Sequence, residues 1–245
     1  MKIKAYLSSV LIAIFIIMAV SLNSENQKIP LRVKNNFFYT QKQNLKDTLS
    51  RRTGIDYPFI IGYNYIPVTN NESNHPYFKK NNWERGSLVY QDRLYTVGGL
   101  KYDIEIDKLI YIMYDKDNKM NCVALDENFI SEFKLLNSTF RYYNDLKNNS
   151  GRKLKAGYYE VVYDGKLKFL VRSEKSETMY DFNTSTDLFL LKDGVMISVR
   201  RMGNLVRQLK DKEKAVKKYI RANSLRLNRS DYSSAFKVLK FYENL

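Results

Sequence analysis

The chain has 245 residues, with 41 Lys and Arg against 26 Asp and Glu, for a formal net charge of +15. Apolar residues make up 44% of it, which excludes a disordered chain and suits one large domain, alone or with an appendage. A single cysteine, Cys122, rules out an internal disulfide. A single histidine, His75, leaves Ser-His-Asp or Cys-His chemistry only one residue to run through.

Residues 1–21 read as a cleaved secretory signal peptide. Lys2 and Lys4 supply the positive start, and Ala5–Val20 is an apolar run. Ala19-Val20-Ser21 places small residues where signal peptidase reads them. The apolar run falls short of the roughly 20 residues a membrane-spanning helix needs. No cysteine stands at its end, so lipoprotein processing is not expected. The expected location is the periplasm or the extracellular medium. An exported chain has little use for nucleic acid, so its positive field points to anionic lipid, acidic polysaccharide or other envelope polymers. Lysine as an ordinary surface residue is the alternative.

Residues 22–56 read as a linker followed by a short helix. Residues 57–67 form an extended segment that Pro58 and Pro67 interrupt, which argues against a central strand. An aromatic, loop-like stretch follows. Tyr63, Tyr65, His75, Tyr77, Phe78 and Trp83 are the candidate recognition residues, because loops rich in aromatics often carry recognition. Core packing is the competing use of the same rings.

From about residue 87 to 199 the pattern is short strands and tight turns. Tyr102, Ile104 and Ile106 alternate with Asp103, Glu105 and Asp107. Leu167, Phe169 and Val171 alternate with Lys166, Lys168 and Arg172. That period of two predicts strands buried on one face. Asp164-Gly165 and Asp193-Gly194 supply the positive φ of tight hairpins, and Gln91-Asp92, Asp117-Asn118 and Leu136-Asn137 make similar corners. Gly98-Gly99 reads as a turn or bulge. After Arg200 the period lengthens to that of a helix. Leu205, Val206, Leu209, Val216, Tyr219 and Ile220 share one face, opposite Lys210, Lys214, Lys217, Lys218 and Arg221. These five form the candidate basic surface. Ser230 or Asp231 is placed to cap a last helix with Tyr232, Ala235, Phe236 and Leu239 on its inner face.

The expected fold is therefore mainly β: a curved antiparallel meander or half-barrel of about ten strands over 57–200, with a basic helical tail over 201–245 packed on it. The stretches Trp83–Tyr90, Leu94-Tyr95, Leu100–Ile104, Gly157–Lys166 and Leu190–Gly194, with the basic tail, resemble a group of exported Bacteroidota proteins that has no established activity. The architecture alone is similar to half-barrels that carry lipid or lipoprotein. These resemblances imply an envelope setting and bring no catalytic residues.

Catalysis has little to stand on. Asp115–Asn121 begins like a calcium loop, but Met120 stands where the sharp turn needs glycine, so it reads as a hairpin turn. Asp103, Glu105 and Asp107 could serve carboxylate chemistry or form a solvated strand face. No catalytic residue, metal or cofactor is assigned. The leading expectation is a non-enzymatic envelope protein that binds an apolar ligand or a protein through its curved sheet. The alternatives are an accessory protein that docks on an anionic surface through basic helices, and a carboxylate hydrolase.

Overall fold

Two-residue turns with both φ angles positive set the pattern of the structure. They fall at Gln91-Asp92, Leu136-Asn137 and Asp193-Gly194. Such turns match the twist of the strands they join, so each closes an antiparallel hairpin. The computed structural model describes residues 45, 46, 48–54, 56–67, 73–179 and 181–245. All belong to one unit, Leu45–Leu245. The expected signal peptide and the linker residues 22–44 lie outside the described residues.

Twelve strands form one curved, open sheet, with helices at the C-terminal end. They are β1 (Gly62–Asn64), β2 (Glu84–Tyr90), β3 (Arg93–Asp103), β4 (Lys108–Tyr114), β5 (Met120–Leu125), β6 (Ile130–Leu135), β7 (Ser138–Tyr143), β8 (Lys147–Asn148), β9 (Gly157–Asp164), β10 (Lys168–Glu177), β11 (Phe182–Lys192) and β12 (Val195–Ser198). The spatial order is β1-β5-β4-β3-β2-β6-β7-β9-β10-β11-β12-β8. The paired strands run antiparallel except β8 and β12, which pair in parallel. The meander departs from chain order in three places: β1 pairs with β5, β8 pairs with β12, and β6 pairs with β2 and not with its predecessor β5.

That pairing forces the curvature. In a flat sheet, β5 and β6 would stand four strand spacings apart, about 19 Å. Residues 126–129 span at most about 17 Å when fully stretched. They are folded instead, with the Phe129 amide donating to the Asp126 carbonyl at 3.2 Å. The sheet therefore curls around its own side chains. Tyr102, Phe133, Phe140 and Tyr158 fill the curl, with the Phe133 and Phe140 rings stacked at 4.7 Å. Gly99 sits at the bend of β3 with φ 74, and any Cβ there would collide with Ile112. This is the bulge expected at Gly98-Gly99.

Two other expectations change. Ile104–Asp107 is a turn, not the end of a strand. Asp103 Oδ1 accepts from the amides of Glu105 and Ile106 at 3.0 and 3.3 Å, and Asp107 adopts φ 57. A carboxylate that satisfies two turn amides outweighs the alternating pattern. Arg172, expected on a solvated face, is buried. The stretch between β7 and β9 places Leu146 and Leu154 against that face of the sheet, beside Tyr159, Leu170 and Met196.

The C-terminal residues form α1 (Met202–Val206), a single 3-10 turn at Lys210–Lys212, α2 (Glu213–Ala222) and α3 (Ser234–Glu243). Leu205, Val206, Leu209, Val216, Val238 and Leu239 pack on Phe169, Val171, Leu188 and Leu190. The expected cap differs. Ser233 precedes α3 without a side-chain cap, while Asp231 Oδ1 accepts from the Ser233 amide and hydroxyl. Phe236, expected inward, is 43% exposed, and Val238 takes the buried place. Among the described residues no helix is long and apolar enough to cross a membrane.

Candidate functional site

Four of the six aromatic-segment candidates converge, but around the chain's own charges. Residues 76–78 lie along the end of β3: the Phe78 amide donates to the Tyr102 carbonyl at 2.8 Å and the Ile104 amide to the Pro76 carbonyl at 3.1 Å. This lays the aromatic segment over the polar side of β3. Lys101, which a period-two strand would leave in water, is 6% exposed. Its ammonium donates to Asn81 Oδ1 at 2.9 Å and lies over the rings of Tyr77 and Trp83, 4.3 and 4.5 Å from their centroids. Ring faces carry negative potential, so the pair of rings attracts the cation that burial has stripped of water. Burial still pulls the Lys101 ammonium below its ordinary pKa.

Asp103 is held the same way. The Tyr65 hydroxyl donates to Oδ2 at 2.7 Å and sits 3.2 Å from the Tyr77 hydroxyl. Burial raises the Asp103 pKa, against the opposing pull of Tyr65 and the two turn amides. His75 Nδ1 accepts from the Tyr77 amide at 3.1 Å, and the ring stacks on Tyr77. Lys175 donates to the His75 carbonyl at 2.5 Å. Burial, then Lys175 and Lys101, lower the His75 pKa. Cys122 lies on the same side of the sheet with Ile110, Ile112 and Ala124, and burial pushes its thiol up to about 11. It behaves as the small apolar strand residue it was expected to be.

Tyr65, His75, Tyr77 and Trp83 thus gather around Lys101 and Asp103. Phe78 points to the other side, edge-on to Phe140 at 5.0 Å within the curl. Tyr63 stands apart on the edge strand β1, 40% exposed. Sequence reasoning missed Lys101, Asp103, Asn81 and Lys175 as parts of this cluster. Lys101 and Asp103 are buried under the covering segment, and nothing in their own periodicity announces it.

The three acids do not face one another across a cleft. Asp107 accepts from the Tyr102 hydroxyl at 2.6 Å and pairs with Arg172 at 3.0 Å. Asp103 is committed to Tyr65 and the turn, and Glu105 accepts from the Glu177 amide at 3.3 Å. Asp115–Asn121 is a hairpin turn whose amides at Asp117 and Lys119 bond to Asp115 Oδ1. Among the described residues no group of three His, Cys, Asp or Glu side chains gathers as a metal site would require.

The five candidate basic residues do come together. Lys210, Lys214, Lys217, Lys218 and Arg221 are all exposed. Glu213 in the first turn of α2 and Arg221 in the last suit the helix dipole. Inward, Val216 is fully buried, and Tyr219 stacks on Phe241 with centroids 4.0 Å apart. Outward, two recesses adjoin. Lys210, Lys212, Lys214 and Lys217 line one of about 690 Å³, together with Asp211, Glu213 and Leu245. Lys214, Lys217, Lys218 and Arg221 line the other, of about 570 Å³, with Ala222. From Arg200 to Leu245 the chain carries thirteen Lys or Arg against four Asp or Glu, so its positive charge is concentrated here.

No family model, curated protein or solved structure matches the chain. The expected likeness to exported proteins and to lipid-carrying half-barrels therefore brings no function to it.

Proposed function

We propose that this is an exported accessory protein that docks on an anionic envelope surface through its C-terminal basic helices. The observation that carries this reading is the convergence of Lys210, Lys214, Lys217, Lys218 and Arg221 on the water side of α2, around two adjoining recesses. Clustered cations of one sign raise the local concentration of an anionic partner and speed its capture. Export rests on the pattern of residues 1–21. The other reading, an apolar ligand on the curved sheet, would need a vacant apolar face. Here Tyr102, Phe133, Phe140 and Tyr158 fill one part of that face and the helices cover the next.

The test is co-sedimentation of the protein, expressed from the full chain with its own leader, with cell-envelope fragments over a salt series. The expected outcome is binding at low salt that is lost towards 1 M, where screening acts within about 3 Å. Binding that ignores salt, or no binding, contradicts the proposal.

A further inference from the structure

We infer that the occupant of the α2 recesses is an extended acidic polysaccharide, not a lipid bilayer; this rests on the docking role proposed above. Lys214, Lys217, Lys218 and Arg221 stand at i, i+3, i+4 and i+7 of α2, which places them in one row on the helix. That row advances about 10 Å along the axis. The two shallow depressions share Lys214 and Lys217, and Lys210 adds a further cation before the N-terminus of α2. A linear chain with repeated negative groups matches a row of cations along an exposed helix face.

A bilayer matches it poorly. A helix lying on a membrane turns bulky apolar residues towards the lipid. The apolar side of α2 is already spent: Val216 is buried, and Tyr219 is stacked on Phe241. Among the described residues lining the two recesses, Leu245 is the one large apolar side chain. The residues facing water are instead exposed lysines and an arginine.

The acids at one end refine the ligand class. Asp211 accepts from the Tyr242 hydroxyl at 2.9 Å, and Glu213 pairs with Lys217. Carboxylates beside the cations repel a dense polyphosphate, but they accept hydrogen bonds from sugar hydroxyls. Lysines, as mobile point charges, tolerate the variable spacing of carboxylates along a sugar chain. An acidic polysaccharide offers both groups, carboxylate and hydroxyl.

The experiment titrates the protein with polygalacturonate, and separately with vesicles of equal parts phosphatidylglycerol and phosphatidylcholine. It compares Lys214→Glu/Lys218→Glu/Arg221→Glu with Arg93→Glu/Lys116→Glu/Lys119→Glu, an equal charge change at exposed positions elsewhere. Thermal unfolding checks that both fold, and Lys214→Gln/Lys218→Gln/Arg221→Gln replaces the first if it does not. The expected result is polysaccharide binding that the α2 variant weakens about tenfold and the remote variant barely changes. Binding to vesicles without binding to polygalacturonate overturns this inference and leaves the docking role standing. Binding to neither overturns both. Equal weakening by the two variants shows net charge acting in place of the α2 row and overturns the inference.

Discussion

The Tyr65 hydroxyl donates to Asp103 Oδ2 across 2.7 Å, joining residues 38 positions apart. The contact ties the segment after β1 to the end of β3 and supports a carboxylate that burial would otherwise push towards its neutral form. Tyr65, His75, Tyr77 and Trp83 are therefore bound up with the charged groups at the end of β3.

Tyr65→Phe should destabilise the protein by about 1.5–3 kcal/mol at neutral pH, the usual worth of a hydrogen bond to a charged group. The folded Asp103 pKa is already raised, and loss of the hydroxyl raises it further. Once pH falls through that raised value the carboxyl is neutral, so the difference from the unsubstituted protein should shrink. Urea unfolding at pH 7 and in mild acid tests this. A penalty that grows in acid would be the wrong sign.

His75 should make folding acid-sensitive. Burial with Lys175 and Lys101 nearby lowers its folded pKa, so below about pH 6.5 the unfolded chain binds more protons than the folded one. The stability linked to neutral His75 is complete above the ordinary histidine value and is lost as pH falls towards the lowered one. Unfolding free energy measured between about pH 7 and 5 should decline, and His75→Gln should flatten that part of the curve. An unchanged slope would show that His75 does not titrate in this way.

Asp107 and Arg172 meet at 3.0 Å with side chains 18% and 8% exposed. Removing Asp107 takes one of two carboxylates from buried Arg172, which keeps Glu174 at 2.9 Å, and takes the acceptor from the Tyr102 hydroxyl, so Asp107→Ala should cost about 1.5–3 kcal/mol. Gly157 lies against this pair at φ 148, and a Cβ there would run into Asp107 and Arg172. Gly157→Ala should therefore also destabilise, partly by disturbing the same pair. A double-mutant cycle on urea midpoints checks whether the two losses overlap; full additivity would show that the two sites act independently.

Much of the sheet was legible locally. The alternation of Leu167, Phe169 and Val171 leading through β10, and the corners at Gln91-Asp92, Leu136-Asn137 and Asp193-Gly194, lie where side-chain period and turn chemistry agree. β1 and β8 were not legible, because strands of three and two residues have no measurable period and depend on β5 and β12 for their pairing. The start of β11 was hidden as well: Asn183-Thr184-Ser185-Thr186 is polar, and it is held by register with β10. Ile104–Asp107 mimicked a strand because Ile104 and Ile106 continue the alternation of Tyr102, while backbone bonds to Asp103 decide for a turn. At the aromatic cluster the residue types were visible, but the burial of Lys101 and Asp103 was not. The basic row on α2 was legible in full, since helical period alone places 214, 217, 218 and 221 together.

The docking account is tested most directly by lysine footprinting with an amine-acylating reagent, on the free protein and on the protein bound to envelope fragments. The account predicts that Lys210, Lys214, Lys217 and Lys218 lose reactivity on binding, while Lys116 and Lys119 in the β4–β5 turn keep theirs. Protection at the turn lysines with α2 still reactive, or no protection in a bound sample, would contradict it.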